Sequence, residues 1–250
     1  MKEEIVSLKN TWVYFNDILV LEDVTFSLKK NDFVSLIGPN GGGKTTILKI
    51  ILGLIKPDKG EVFVFGKAPE KGRKSIGYLP QYSFVDLNFP INVFEVVLMG
   101  RYDTVGKGYS KEDKDRALNA LKTVGMLEYK DRQIGRLSSG QLQRIYIARA
   151  ICREPELLLL DEPTASVDPE MQKSFYELLS ELKKKMAVIL VTHDISVVSV
   201  YVDSVACLNR RLFYHGSSEA ALKKLEQVYE CPIELLAHGI PHRVLKKHGK

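Results

Sequence analysis

Short apolar runs at residues 5–9, 21–28 and 33–37 have the length and spacing of β-strands. The third feeds directly into a glycine-rich segment, after which Ile47, Leu48, Ile50, Ile51 and Leu54 recur at helical spacing. That spacing predicts a helix over 44–54, ended by the turn residues Lys56-Pro57-Asp58-Lys59-Gly60. A short β segment at 61–65 and a strand at 75–79 then lead to Pro80-Gln81.

Beyond this point the rhythm changes. Helical patterns at 92–99, 111–125 and 139–152 follow one another with no strand between them, which reads as a helical insertion over about 84–153. Apolar runs at 157–160, 187–191 and 205–208 alternate with helices expected over 169–185 and 194–202, the βαβ rhythm of a parallel sheet. The four leucines Leu157 to Leu160 describe a strand buried on both faces. One α/β domain is expected over 1–225, followed by a poorly patterned extension over 226–250.

A length of 250 residues suits one compact unit carrying an insertion. No stretch reaches the roughly 18 consecutive apolar residues of a membrane-crossing helix. The start, Met1-Lys2-Glu3-Glu4, lacks the apolar core and cleavage site of a secretory signal, so the chain is expected in the cytoplasm. Cys152, Cys207 and Cys231 are odd in number and widely spaced, which argues against a disulfide framework. The net charge of +5 is modest, and Arg243, Lys246, Lys247 and Lys250 read as a solvated basic tail rather than a nucleic-acid footprint.

Gly38-Pro39-Asn40-Gly41-Gly42-Gly43-Lys44-Thr45-Thr46 has the spacing G-x-x-x-x-G-K-T between a strand and a helix. Glycines allow backbone N–H groups to approach phosphate oxygens closely, and the helix start adds the positive end of its dipole. Lys44 then suits the β- and γ-phosphates of a nucleoside triphosphate, and the Thr45 hydroxyl suits Mg²⁺. Asp161 and Glu162 end the four-leucine strand at the ligand edge of a parallel sheet, where a carboxylate serves a metal ion or an attacking water. Residues 137–141, Leu-Ser-Ser-Gly-Gln, precede another helix, which makes a second anion-binding helix start in one chain. An N-cap at Ser138 or Ser139 is the plainer role of those serines.

The order of phosphate loop, Leu-Ser-Ser-Gly-Gln and Asp-Glu resembles the ATP-binding-cassette (ABC) ATPases. The likeness covers nearly the whole chain and implies a P-loop NTPase core with a parallel sheet, an N-terminal antiparallel β subdomain and an inserted helical subdomain. It further implies that Glu162 is the general base, that Asp161, Thr45 and Gln81 serve Mg²⁺, and that His193 contacts the γ-phosphate. Two copies would pack head to tail, with Ser138, Ser139, Gly140 and Gln141 of one closing on the ATP of the other and Asp168 crossing the interface. Ser139 departs from the family's Leu-Ser-Gly-Gly-Gln, which bears on how closely the phosphate is approached. Phe15 best matches the aromatic that stacks on adenine and Tyr14 is its rival; strand alternation is expected to turn one of the two into the core.

The loop Gly38-Pro39-Asn40-Gly41-Gly42-Gly43-Lys44-Thr45-Thr46, the segment Ile76-Gly77-Tyr78-Leu79-Pro80-Gln81 and the tail Ala237-His238-Gly239-Ile240-Pro241-His242-Arg243 look like the zinc and manganese importers of that family. The resemblance then implies transmembrane permease subunits as partners, an extracytoplasmic binding protein engaged indirectly, and residence at the cytoplasmic face of the membrane. An exporter cassette shares the same chemistry, and a soluble ABC ATPase acting on nucleic acid or ribosomes is a further alternative. Cys231, His238 and His242 match no established zinc-finger spacing, and a structural role is the plainer reading of them.

Overall fold

The computed structural model describes residues 3–81, 89–102, 108–163, 169–192, 201–217, 233–238 and 240–245. The chain divides into two compact units, Met1–Arg73 with Ala187–Lys250, and Lys74–Met186.

In the first unit, β1 (Glu4–Phe15) and β2 (Ile18–Lys29) pair antiparallel, and β4 (Lys59–Val64) adds to the other side of β1. Asn16 and Asp17 connect β1 to β2 with φ of 48° and 63°, the mirror-image turn that matches strand twist and that Asn and Asp tolerate. β3 (Phe33–Ile37) pairs parallel with β7 (Ala187–Val191) on one side and β8 (Ser204–Asn209) on the other. All five residues of β3 and of β7 are buried, as expected for parallel strands covered on both faces.

β9 (Arg211–Ser217) returns antiparallel along β8 and was not legible from the pattern. Its residues alternate exposed with half-buried, so it carries no apolar run. Helix α1 (Lys44–Ile51) buries Ile47, Leu48, Ile50 and Ile51. It ends three residues earlier than its periodicity predicts, because Gly53 turns left-handed at φ 66° and Leu54 stays 60% exposed. The one-turn helix α2 (Pro69–Gly72) follows β4. The region expected to be unpatterned contains an antiparallel hairpin of β10 (Ile233–His238) and β11 (Ile240–Leu245), where Leu236 pairs with His242.

In the second unit β5 (Ile76–Leu79) pairs parallel with β6 (Leu157–Asp161). Between them, helices α3 (Val93–Leu98), α4 (Lys111–Thr123) and α5 (Ser139–Ile151) pack on one another. Val93, Val96 and Val97, Ala117, Ala120 and Leu121, and Ile145, Ile147 and Ala148 supply their buried faces. α6 (Pro169–Leu182) follows β6 and buries Phe175, Tyr176 and Leu179. No helix among the described residues is long and apolar enough to cross a membrane.

Candidate functional site

β3 delivers the chain into Gly38, where the backbone passes so close to β8 that an added Cβ would sit 1.8 Å from the Leu208 carbonyl oxygen. Pro39 and Asn40 begin a turn closed by the Gly42 N–H donating to the Pro39 carbonyl at 3.1 Å. Asn40 and Gly41 form the exposed crown of the loop. Gly43 N-caps α1 at φ 95°, a left-handed conformation open to glycine, and no side chain caps the helix start. No Ser or Asp oxygen complements the helix dipole there, which leaves a helix start whose chemistry suits an anion.

Lys44 is only 5% exposed, and its Nζ donates to the carbonyls of Gly38 at 3.0 Å and Pro39 at 2.9 Å. The following threonines divide by exposure, Thr45 half-buried and Thr46 buried at 8%. A buried ammonium held by carbonyls, beside a glycine-capped helix start, is donor chemistry that fits a polyphosphate.

In the second unit β6 ends on Asp161, which is 2% exposed. Burial pushes the Tyr78 phenol up to about 12, with the negative charge of Asp161 adding to the effect. The next residue, Glu162, adopts φ 47°, a left-handed conformation that is costly for a side chain of this size and that concentrates at functional sites. Its Oε2 accepts a hydrogen bond from the Gln81 Nε2 at 2.7 Å. The structure thus brings Gln81 and Glu162 together although they are 81 positions apart.

α5 begins at Ser139, as the pattern over 139–152 predicts, with Ser138 as its N-cap. Ser138 Oγ accepts from the Gln141 N–H at 3.3 Å, and the Gln141 Oε1 accepts from the Ser138 N–H at 3.1 Å, a capping box. Ser139 is exposed and Gly140 buried at the first positions of the helix. One contributor was missed from sequence. Gln143 is 7% exposed, and its side-chain amide donates to the Pro163 carbonyl, tying α5 to the turn after Glu162. A glutamine two residues past the signature on an amphipathic helix carries no periodic signal, and only the tertiary contact reveals it.

Tyr14 and Phe15 depart from expectation. Both are exposed, at 36% and 44%, so neither turns into the core. The register of β1 against β2 shifts between Val13 and Tyr14, and the two aromatics stand at the strand end beside the turn, where alternation fails. Half-buried Trp12 carries the Lys59 ammonium 5.5 Å from its ring centroid. Asp168, His193 and Cys231 lie outside the described residues.

Residues 21–165 match the family model of ABC transporters. The chain is 44% identical over 218 residues to a probable metal transport system ATP-binding protein of Thermotoga maritima, a match covering 86% of each chain. It is 43% identical to the zinc uptake system ATP-binding protein ZurA of Listeria innocua, again over 86% of each. The manganese transport system ATP-binding protein MntB of Bacillus subtilis is 38% identical, with 90% of this chain and 92% of that protein covered. Among solved structures, an inward-facing ABC transporter chain of the metal-chelate type superposes with a TM-score of 0.85, 28% identity and 98% of each chain covered. An ATP-binding cassette in its ADP conformation gives a TM-score of 0.79 at 26% identity, covering 90% of this chain and 95% of that one. A glycine-rich loop before α1, the carboxylates Asp161 and Glu162 at the end of β6 and the capped helix α5 accompany this likeness, and the chain belongs to the ATP-binding-cassette family of transporter ATPases.

Proposed function

We propose that this chain is the ATP-hydrolysing subunit of an importer for a divalent metal ion, zinc or manganese, working as a homodimer at the cytoplasmic face beneath separate permease subunits. An extracytoplasmic binding protein delivers the ion to that permease. The ion assignment is carried by one observation: the relatives similar over most of this chain are ATP-binding proteins of metal, zinc and manganese systems.

In the proposed reaction the loop N–H groups from Gly38 to Thr46 and the Lys44 ammonium hold the β- and γ-phosphates, with Phe15 or Tyr14 stacking on the adenine. Glu162 takes a proton from water as the water oxygen bonds to the γ-phosphorus and the bond to the β-phosphate oxygen breaks, releasing ADP and phosphate. Gln81 orients that base, a role supported by its 2.7 Å hydrogen bond to the carboxylate. His193 contacts the γ-phosphate. In the second copy Ser138 and Gln141 hold the helix start, Ser139 and Gly140 present N–H groups to the same phosphate, and Asp168 crosses between copies.

Thr45, Gln81 and the buried Asp161 offer hydroxyl, amide and carboxylate oxygens, a hard donor set that fits Mg²⁺. When bound, that ion neutralises charge on the β- and γ-phosphate oxygens.

Glu162→Gln keeps the hydrogen-bonding shape and removes the base. Turnover should fall about 10²- to 10⁴-fold with ATP binding retained. Normal phosphate release by this variant removes the assignment. Uptake of radioactive zinc and manganese by cells carrying the wild-type or Glu162→Gln chain with its permease tests the ion. Uptake of neither metal above the Glu162→Gln background rules out metal import.

A further inference from the structure

The turn between β8 and β9 consists of Arg210 alone, because Asn209 and Arg211 already pair with each other. Arg210 stands at φ 58°, left-handed, with its side chain exposed. Its main chain does what its side chain does not. The Arg210 N–H donates to the Gly42 carbonyl at 2.9 Å, and the Arg210 carbonyl accepts from the Glu22 N–H at 2.8 Å. The Glu22 carboxylate in turn pairs with the Arg211 guanidinium, whose hydrogen bond holds the Glu22 carboxyl below its usual range.

This turn meets the phosphate loop near both ends. Leu208 lies against Gly38 at the start, and Arg210 grips Gly42 near the end, while Leu21 of β2 presses on Gly43 from the other strand. The grip has a directional consequence. In a planar trans peptide the carbonyl of one residue and the N–H of the next point in opposite directions. Tying the Gly42 carbonyl to Arg210 therefore aims the Gly43 N–H away from the turn, toward the ligand side of the loop.

We propose that Arg210 is a positioning residue for ATP: its left-handed turn, clasped between Gly42 and Glu22, fixes the orientation of the loop's phosphate-binding N–H groups. The inference rests on the reading of residues 38–46 as the ATP phosphate site. The requirement at position 210 is for a backbone that tolerates positive φ and keeps its N–H, and not for a guanidinium.

Three substitutions at one position separate these demands. Arg210→Gly keeps both hydrogen bonds and accepts the left-handed turn. Arg210→Val keeps the N–H but resists positive φ, and Arg210→Pro loses both the N–H and the conformation. Titration with a fluorescent ATP analogue and steady-state ATPase assays, with thermal melting in parallel, should show ATP affinity about tenfold weaker for Arg210→Val and Arg210→Pro. KM should rise while kcat at saturating ATP stays within about twofold, and Arg210→Gly should restore the affinity. If Arg210→Pro does not fold, Arg210→Val against Arg210→Gly carries the same contrast. Affinity unchanged in Arg210→Val, or lost equally in Arg210→Gly, overturns the proposal. So does a lowered melting temperature with unchanged KM. Lys44→Ala serves as control: if it binds ATP like wild type, the phosphate-site reading itself fails, whatever Arg210 does.

Discussion

Helix α1 has Gly43 as its N-cap, in a left-handed conformation with no side-chain cap, whereas α5 has Ser138 as its N-cap inside a complete capping box. α3 and α4 begin as α5 does, with the boxes Asn92–Glu95 and Ser110–Asp113. The capped starts satisfy N–H groups with their own side chains and are stable without a ligand. The α1 start is held from outside, by Leu21 and by the clasp at Arg210. Sequence made both 38–46 and 137–141 candidate anion sites. Under the proposed function, the difference in capping separates a site built around its ligand from one that finishes its own helix first and offers what remains, the N–H groups of Ser139 and Gly140, to a second copy.

The sharpest way to break this contrast is to give α1 the residue that α5 has. Gly43→Ser forces serine into φ 95° with its Cβ only 2.4 Å from Leu21 Cδ2. ATP binding should weaken about 10- to 100-fold, read by titration with a fluorescent analogue. Retained affinity would mean that the uncapped start does not matter. The converse change, Ser138→Ala, should lower stability by about 1 kcal/mol in urea unfolding, with Ser138→Asp recovering most of it. No loss on removing the hydroxyl would show the box to be ornamental.

A smaller effect comes from acid. Ser110 and then Arg101 hydrogen-bond the Asp113 carboxylate and hold it at about 2, below its ordinary 3.8. A depressed carboxyl contributes stability that is complete above its unfolded value and is lost as pH falls through its folded value. The wild-type denaturation midpoint should therefore drop from about pH 4 toward about pH 2 more steeply than that of Asp113→Asn. Equal slopes would detach the α4 cap from the acid response.

Much of this was legible in residues. The runs at 33–37, 157–160 and 187–191 became β3, β6 and β7 because parallel strands buried on both faces have no polar side to dilute the signal. Lys44 and its glycines were readable because the loop's chemistry is local. The end of β1 was misread because alternation assumes an unbroken register, and β1 shifts at Val13 to Tyr14. β9 was missed because its half-exposed Leu212, Tyr214 and Gly216 form no apolar stripe. Arg210 gave no turn signal, since arginine has no intrinsic preference for positive φ. The bonds from Gln81 to Glu162 and from Gln143 to Pro163 exist only once distant segments meet.

The central strand also sets a timetable. Phe33 at the start of β3 donates its N–H to Asp203, 170 positions later, and β3 pairs with β8 just beyond. At a ribosome adding about 5–20 residues per second, the apolar strand that carries the phosphate loop waits on the order of 10 to 30 s for the neighbour that completes its sheet. During that interval the five buried residues of β3 lack their β8 neighbour. Nascent chains stalled before residue 204 should need a chaperone to stay in solution, and the glycine-rich loop is synthesised early while β8, the neighbour of its strand, comes late.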